Sequence, residues 1–445
     1  MIGLAMPLML LTGSTLPTGG SAEPTPVTTI AGPALTFDFP ALRIGVAEYD
    51  EGPTGATVFH FPKPVMAAVD VRGGAPATIN TDALRLSYDS PFVNAVAFAG
   101  GSSYGLAAAT GVADEIKAST ANPTQWENVA TVVGAIIFDV GGRRFSHVTP
   151  DYELGRAALR AGQPGRFPLG ARGAGRFGMQ GWYWGEPVYS GQGGAFRQLG
   201  PTKVAVFAVV NAMGSIVDRD GRVVRCAKRA GECGTIASRF AERVGDLQAP
   251  QRAGGPGNTT ITLVATNQKL PLWALQRLAA QVHTSMARAI QPIATQDDGD
   301  TLFAVTTGEV ENPRLSPVDL AVVASEVAWD AVLASVPPLP AAAPETPISV
   351  PAADLDRYMG TYEFVPGTRA VVARGPNGLT IQLDDHQSLY LPRNKAVGLV
   401  AVAPDEFLIG AERPGRLRFT RAANDAISGL TMNPGHWGVQ ATRLQ

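Results

Sequence analysis

Asn258-Thr259 is the pair of residues in this chain best placed for chemistry. A Gly/Pro-rich stretch ends at Gly257, and the run Ile261-Thr262-Leu263-Val264-Ala265 that follows alternates like a strand. Thr259 therefore stands at a strand mouth. If its hydroxyl attacked the Asn258 carbonyl, the peptide would become an ester, and hydrolysis would leave Thr259 as a new N-terminus. Such a residue brings its own base, because an α-amine titrates near pH ~8 and can take the proton of the adjacent Oγ. The plain alternative is a turn entering a strand.

A second candidate lies earlier in the chain. Val93 to Ala99 is an apolar strand that runs into Gly100-Gly101-Ser102-Ser103-Tyr104-Gly105 and then an alanine-rich helix. Backbone N–H groups can converge on an anion in such a turn. Gly101-x-Ser103-x-Gly105 is also formally a nucleophile elbow, which would need an acid and then a histidine downstream. The histidines that follow, His147, His283, His386 and His436, are poorly placed for it. A third candidate is Asp298-Gly299-Asp300, a carboxylate pair that could serve a proton or a divalent cation, although the spacing is not that of an EF-hand.

Several elements must position these residues. Short strands are expected at 42–46, 56–61, 66–71, 93–99, 132–140, 204–210, 261–265 and 301–306, with helices near 153–160, 272–290 and 316–334. Residues 162–195 read as a long glycine-rich loop bearing Trp182, Tyr183 and Trp184. Pro337 to Pro351 is a Pro/Ala linker, and 353–445 alternates like a small all-β module.

At 445 residues more than one domain is expected. A net charge of −2 with only 17% charged residues excludes the basic face of a nucleic-acid binder. The first residues hold a short apolar stretch and then small residues, without a basic n-region; we expect a signal peptide over 1–24 and export to the periplasm or medium. No later stretch is long and apolar enough to span a bilayer. In an exported protein Cys226 and Cys233 would close a loop as a disulfide; in the cytosol they would be two thiols without metal-ligand spacing.

Five blocks taken together resemble one family: Val69-Asp70-Val71-Arg72-Gly73-Gly74, Ala99 to Leu106, Val210-Asn211-Ala212-Met213-Gly214, Gly257-Asn258-Thr259-Thr260 and Asp298-Gly299-Asp300. The family is the self-cleaving L-aminopeptidase/D-esterase group that includes β-aminopeptidases. Phe37-Asp38-Phe39-Pro40 and Ile290-Gln291-Pro292 are most similar to its nylon-oligomer hydrolases. The resemblance, over about residues 37–335, implies an α/β fold in four layers, α/β/β/α, spanning 25–336. It also implies a cut between Asn258 and Thr259 and assembly into tetramers or larger rings. Thr259 would be the nucleophile and Asn211 the oxyanion donor, aided by Tyr104 and the Gly100, Gly101, Ser102, Ser103 turn. Asp298 and Asp300 would orient the Thr259 amine and hydroxyl. No metal and no organic cofactor is implied; substrates would be short peptides with β- or D-residue ends, or oligoamides.

One departure stands out. Where the family commonly has Gly-Lys, this chain has Gly181-Trp182, so either the site lacks that cation or Arg172 or Arg176 supplies it. The module from 353, with Tyr358-Met359-Gly360-Thr361-Tyr362, resembles the lipocalin-like barrel appended to some secreted hydrolases. A chain that had kept the fold as a non-catalytic envelope binding protein, or an esterase using Ser103, are the competing readings.

Overall fold

The computed structural model describes residues 23–85, 91–185, 187–227, 233–245, 257–338, 346–384, 386, 391–410 and 415–444. The expected signal peptide up to residue 22 and the linker residues 339–345 lie outside these.

The elements that build the first body are β1 (Arg43–Tyr49), β2 (Thr54–Val71), β3 (Phe92–Ala99), α1 (Ala107–Ser119), β4 (Val132–Ile136), α2 (Tyr152–Arg160), β5 (Gly191–Leu199), β6 (Thr202–Asn211), β7 (Thr259–Gln268), α3 (Leu272–Ser285), β8 (Thr301–Val310) and α4 (Pro317–Ala334). Their strands lie in the order β5-β6-β7-β8-β2-β3-β4, with β1 beside β2. β7–β8 and β3–β4 are parallel pairs, and each is joined by a crossover helix, α3 and α1 respectively.

β2 carries the sheet round a corner. Pro62 and Pro64 cannot donate to a ladder, and the pairing of β2 with β3 shifts register between His60 and Val65. The first half of β2 pairs β1 and β3; the second half pairs β8. The two halves of the sheet then face each other across a core holding Phe59, Phe98, Phe207, Leu263 and Phe303. Helices α3 and α4 cover one outer face through Leu275, Leu278, Val327 and Val332, and α1 and α2 cover the other through Val112, Ile116 and Leu154. This is the four-layer α/β/β/α arrangement expected.

Local chemistry sets the boundaries. Ser316 caps α4 by accepting from the Asp319 N–H, with Pro317 in the first turn, and Asp151 caps α2 through the Leu154 N–H. β7 is buried on both faces, which explains its unbroken run of β-branched and apolar residues. The expected loop at 162–195 contains short two- and three-residue strands, and β5 begins within it at Gly191.

The second body is a closed barrel of β9 (Gly360–Val365), β10 (Thr368–Gly375), β11 (Gly378–Leu383), β12 (Val397–Ala403), β13 (Glu406–Ile409), β14 (Gly415–Arg421), β15 (Ile427–Met432) and β16 (Val439–Arg443). Tyr358, Tyr362, Phe407, Leu417 and Phe419 pack its interior, as an eight-stranded barrel allows. Cys226 and Cys233 are bridged. No helix among the described residues is long and apolar enough to cross a membrane.

Candidate active site

Thr259 is the first residue of β7, and the antiparallel register places Asn211, the last residue of β6, directly opposite it. The Thr259 Oγ1 hydroxyl donates to the Asn258 carbonyl oxygen at 2.5 Å. The turn at 297–299 straps the junction from the other side. Asn258 N–H donates to the Asp297 carbonyl at 3.1 Å, and Gly299 N–H donates to the Asn258 carbonyl at 2.7 Å. The hydroxyl and a fixed donor thus meet at one carbonyl, in a site where Thr259 is only 4% exposed. Position 299 has no room for a side chain, since a Cβ there would lie 2.7 Å from both Thr259 Oγ1 and the Ala75 carbonyl.

Both carboxylates of the Asp-Gly-Asp turn are buried beneath this junction. Asp298 accepts from the Met213 N–H at 3.2 Å and from the Thr295 N–H and hydroxyl at 3.0 and 2.7 Å. Asp300 accepts from the Thr260 N–H at 2.5 Å and the Ala294 N–H at 2.7 Å. Burial raises the affinity of both for a proton; Asp300, with the Asp298 charge beside it, is pushed up to about 7. Their oxygens face N–H and O–H donors, which suits carboxyl groups that hold backbone in place better than a cation cage.

Sequence reasoning missed the cation of the site. Arg143 is fully buried and donates to Asn211 Oδ1, to the Phe138 carbonyl, to the Gly257 carbonyl at 3.1 Å and to Asn258 Oδ1 at 2.9 Å. Its guanidinium lies 4.7 Å from the Trp182 ring centre, so the tryptophan standing where lysine was expected forms a π-face for an arginine. Burial lowers the Arg143 pKa to about 9. The remaining bonds of Asn211 run from the Met179 N–H to its Oδ1, and from its Nδ2 to the Phe138 and Gly257 carbonyls. Gly257 is required as glycine, because φ is +94° and a Cβ would strike the Phe138 ring. The signal for Arg143 in the sequence is faint: two arginines in a row after Gly141-Gly142, of which Arg144 pairs with buried Asp139 at 3.1 Å.

Other expected residues are not brought to this junction. Arg172 and Arg176 turn to Glu48, and Arg176 also to Asp50, so neither supplies the charge at Thr259. The Gly100 to Gly105 turn cannot cradle an oxyanion with its first three N–H groups, because Gly100 donates to the Gly55 carbonyl, Gly101 to Asp139 and Ser102 to the Ile137 carbonyl. Tyr104 is 74% exposed, and no hydrogen bond among the described residues joins it to Thr259. Ser103 is exposed on the same short helical turn, and among the described residues no histidine hydrogen-bonds it.

A buried hydroxyl on its own preceding carbonyl, with a fixed donor on the same oxygen and paired carboxyls beneath, is an arrangement suited to attack on an amide bond. Residues 34–340 match Peptidase family S58, and the chain belongs to that family. It is 42% identical over 325 residues to a 6-aminohexanoate-oligomer endohydrolase of Paenarthrobacter ureafaciens, covering 69% of this chain and 87% of the relative. An uncharacterized aminopeptidase of Mycobacterium leprae is 37% identical over 284 residues, 60% of this chain and 74% of that one. Among solved structures, a Burkholderia sp. beta-aminopeptidase aligns with a TM-score of 0.48 at 18% identity, over 69% of this chain and 89% of its own. The peptidase family and the hydrolase relatives together favour the catalytic reading over a non-catalytic binding protein. The chain is an amide-bond hydrolase, and the barrel begins after the matched region ends.

Proposed function

We propose that this protein is a self-processing N-terminal threonine amidohydrolase that cleaves internal amide bonds of oligoamides or short peptides. The observation that carries the reading is the Thr259 hydroxyl on the Asn258 carbonyl, with Gly299 N–H holding the same oxygen. Attack of Oγ on that carbon builds a tetrahedral oxyanion on the Gly299 donor. Expulsion of the Thr259 nitrogen leaves an ester, which water hydrolyses to an Asn258 carboxylate and a free Thr259 amine. One fixed donor of this kind is worth about 3 kcal/mol in comparable sites.

In turnover the amine takes the Oγ proton as Oγ attacks a substrate amide, and then delivers it to the leaving amine. Water deacylates the resulting ester. Asn211, opposite Thr259, is suited to hold the oxyanion once Gly257 and Asn258 withdraw. Arg143 favours an endo-acting enzyme. Two of its four acceptors are the Gly257 carbonyl and Asn258 Oδ1, so a substrate's acyl part laid in their place meets a buried cation. That charge repels a free ammonium end and accepts a further amide carbonyl. The endohydrolase relatives, named for 6-aminohexanoate oligomers, agree with this choice.

The Cys226–Cys233 bridge supports an oxidising compartment and hence export, to the periplasm or medium. Exposed Trp273, Val318 and Val322 on α3 and α4 support self-association into a tetramer or larger ring. Thr259→Ala should remain one chain without amidase activity, while Ser103→Ala should process and turn over normally. The reverse pattern, loss only with Ser103→Ala, would put the nucleophile at the Gly-rich turn.

A further inference from the structure

The barrel lies beyond the region that matches the peptidase family, its interior is filled by its own side chains, and among its contacts with the first body in the described residues are two that bear on Asn211. The first contact is the turn between β15 and β16. His436 Nε2 donates to the Ala171 carbonyl at 2.5 Å, and its own carbonyl accepts from Arg176. Trp437 Nε1 donates to the Arg176 carbonyl at 3.0 Å, and the Trp437 ring stacks on Tyr189 at 4.1 Å, with the planes 10° apart. Asn433 Nδ2 donates to Tyr189 Oη at 3.3 Å. Tyr189 is the ladder partner of Met179, and it is the Met179 N–H that donates to Asn211 Oδ1.

The second contact is Phe145, whose ring meets Phe364 of β9 at 5.6 Å and His386 at 6.4 Å. Phe145 stands two residues after Arg143, the other donor to Asn211 Oδ1. Each of the two hydrogen bonds that fix the Asn211 oxygen is therefore backed by a barrel aromatic on the far side of its loop.

We infer that the C-terminal barrel is a brace for the oxyanion side of the active site, with Trp437 as its chief positioning residue, acting through Tyr189 and Met179 on Asn211, while Phe364 backs Phe145 on the Arg143 side. The inference rests on the Thr259 reading. Geometry of this kind is what amide hydrolysis is sensitive to, because a donor displaced by about 1 Å can cost about 100-fold.

The test is the series Trp437→Phe, →Leu and →Ala in the full-length protein, in wild-type and Asn211→Ala backgrounds, with circular dichroism to establish folding. The rate of oligoamide turnover should fall in that order in the wild-type background, to about tenfold below wild type with alanine, with kcat falling more than KM changes, while first-order processing, whose oxyanion rests on the Gly299 N–H, should change little. In the Asn211→Ala background the series should be flat, which a general loss of stability would not produce. Equal rates along the series in folded protein, or the same losses without Asn211, would overturn the brace. Should alanine not fold, the phenylalanine and leucine variants carry the comparison. A wild-type chain that never splits at Thr259 would instead refute the nucleophile; a chain that splits with a flat series refutes the brace alone.

Discussion

Arg143 is the residue on which the chemistry of this site turns. It binds the Asn211 side chain and the two residues just before Thr259, and it is buried. Removing it strands several acceptors in the interior and frees the Gly257-Asn258 backbone it holds, so Arg143→Met should slow processing by about 100-fold, the cost of misplacing a reacting group by about 1 Å. Arg143→Lys should recover only part, since an ammonium cannot span the same fork of partners; time-resolved gel densitometry distinguishes the two. Asp300 sets a pH dependence. Its folded pKa, about 7, lies above the ordinary carboxyl value of about 4, so the folded state binds the proton more tightly than the unfolded chain. Its contribution to stability is present below pH ~4 and is lost as pH rises through about 7. In uncut Thr259→Ala protein the urea midpoint should therefore fall over that window, and Asp300→Asn should flatten the fall. A midpoint that rises over the window would show that Asp300 is stabilised as the anion.

Elements matter here by what they bring to one point. The 297–299 turn works only because position 299 lacks a side chain; Gly299→Ala should block processing and lower the melting temperature, since its Cβ meets the Ala75 carbonyl as well as the Thr259 hydroxyl, and a folded variant that still cuts at the normal rate would remove the turn from the mechanism. Much of this was legible in the sequence. Apolar alternation that stops at Gly257-Asn258 marks Thr259 as a strand mouth and the Asp298-Gly299-Asp300 turn as a carboxylate pair, but the role of Asn211, and the choice of Thr259 over a plain turn, come from the resemblance of five blocks to one family. Arg143 was not legible, because its partners lie 68 and 115 residues away and a Gly-Gly-Arg-Arg segment reads as a solvated turn. The Gly100 to Gly105 turn misled for the opposite reason. Its glycines do allow a tight strand-to-helix turn, but Asp139, 38 residues on, takes the Gly101 N–H that a free anion site would need. Local composition displays the donors, whereas tertiary pairing decides whether they are free.

At the scale of the whole molecule, a bent sheet clamps the Asn258-Thr259 junction between two halves of one body, and a second body leans on the loops that hold Asn211. The sheet supplies rigidity, since β6, β7 and β8 are almost wholly buried around the junction. The barrel supplies contacts that the family region lacks on its own. All of this serves one claim, that Thr259 cuts the chain before it cuts anything else. Intact-mass measurement of the purified protein, with N-terminal sequencing of the smaller fragment, tests it most directly. Two chains that stay together under native conditions are expected, the smaller one beginning at Thr259. A single uncut chain after prolonged incubation in folded, wild-type protein would contradict it.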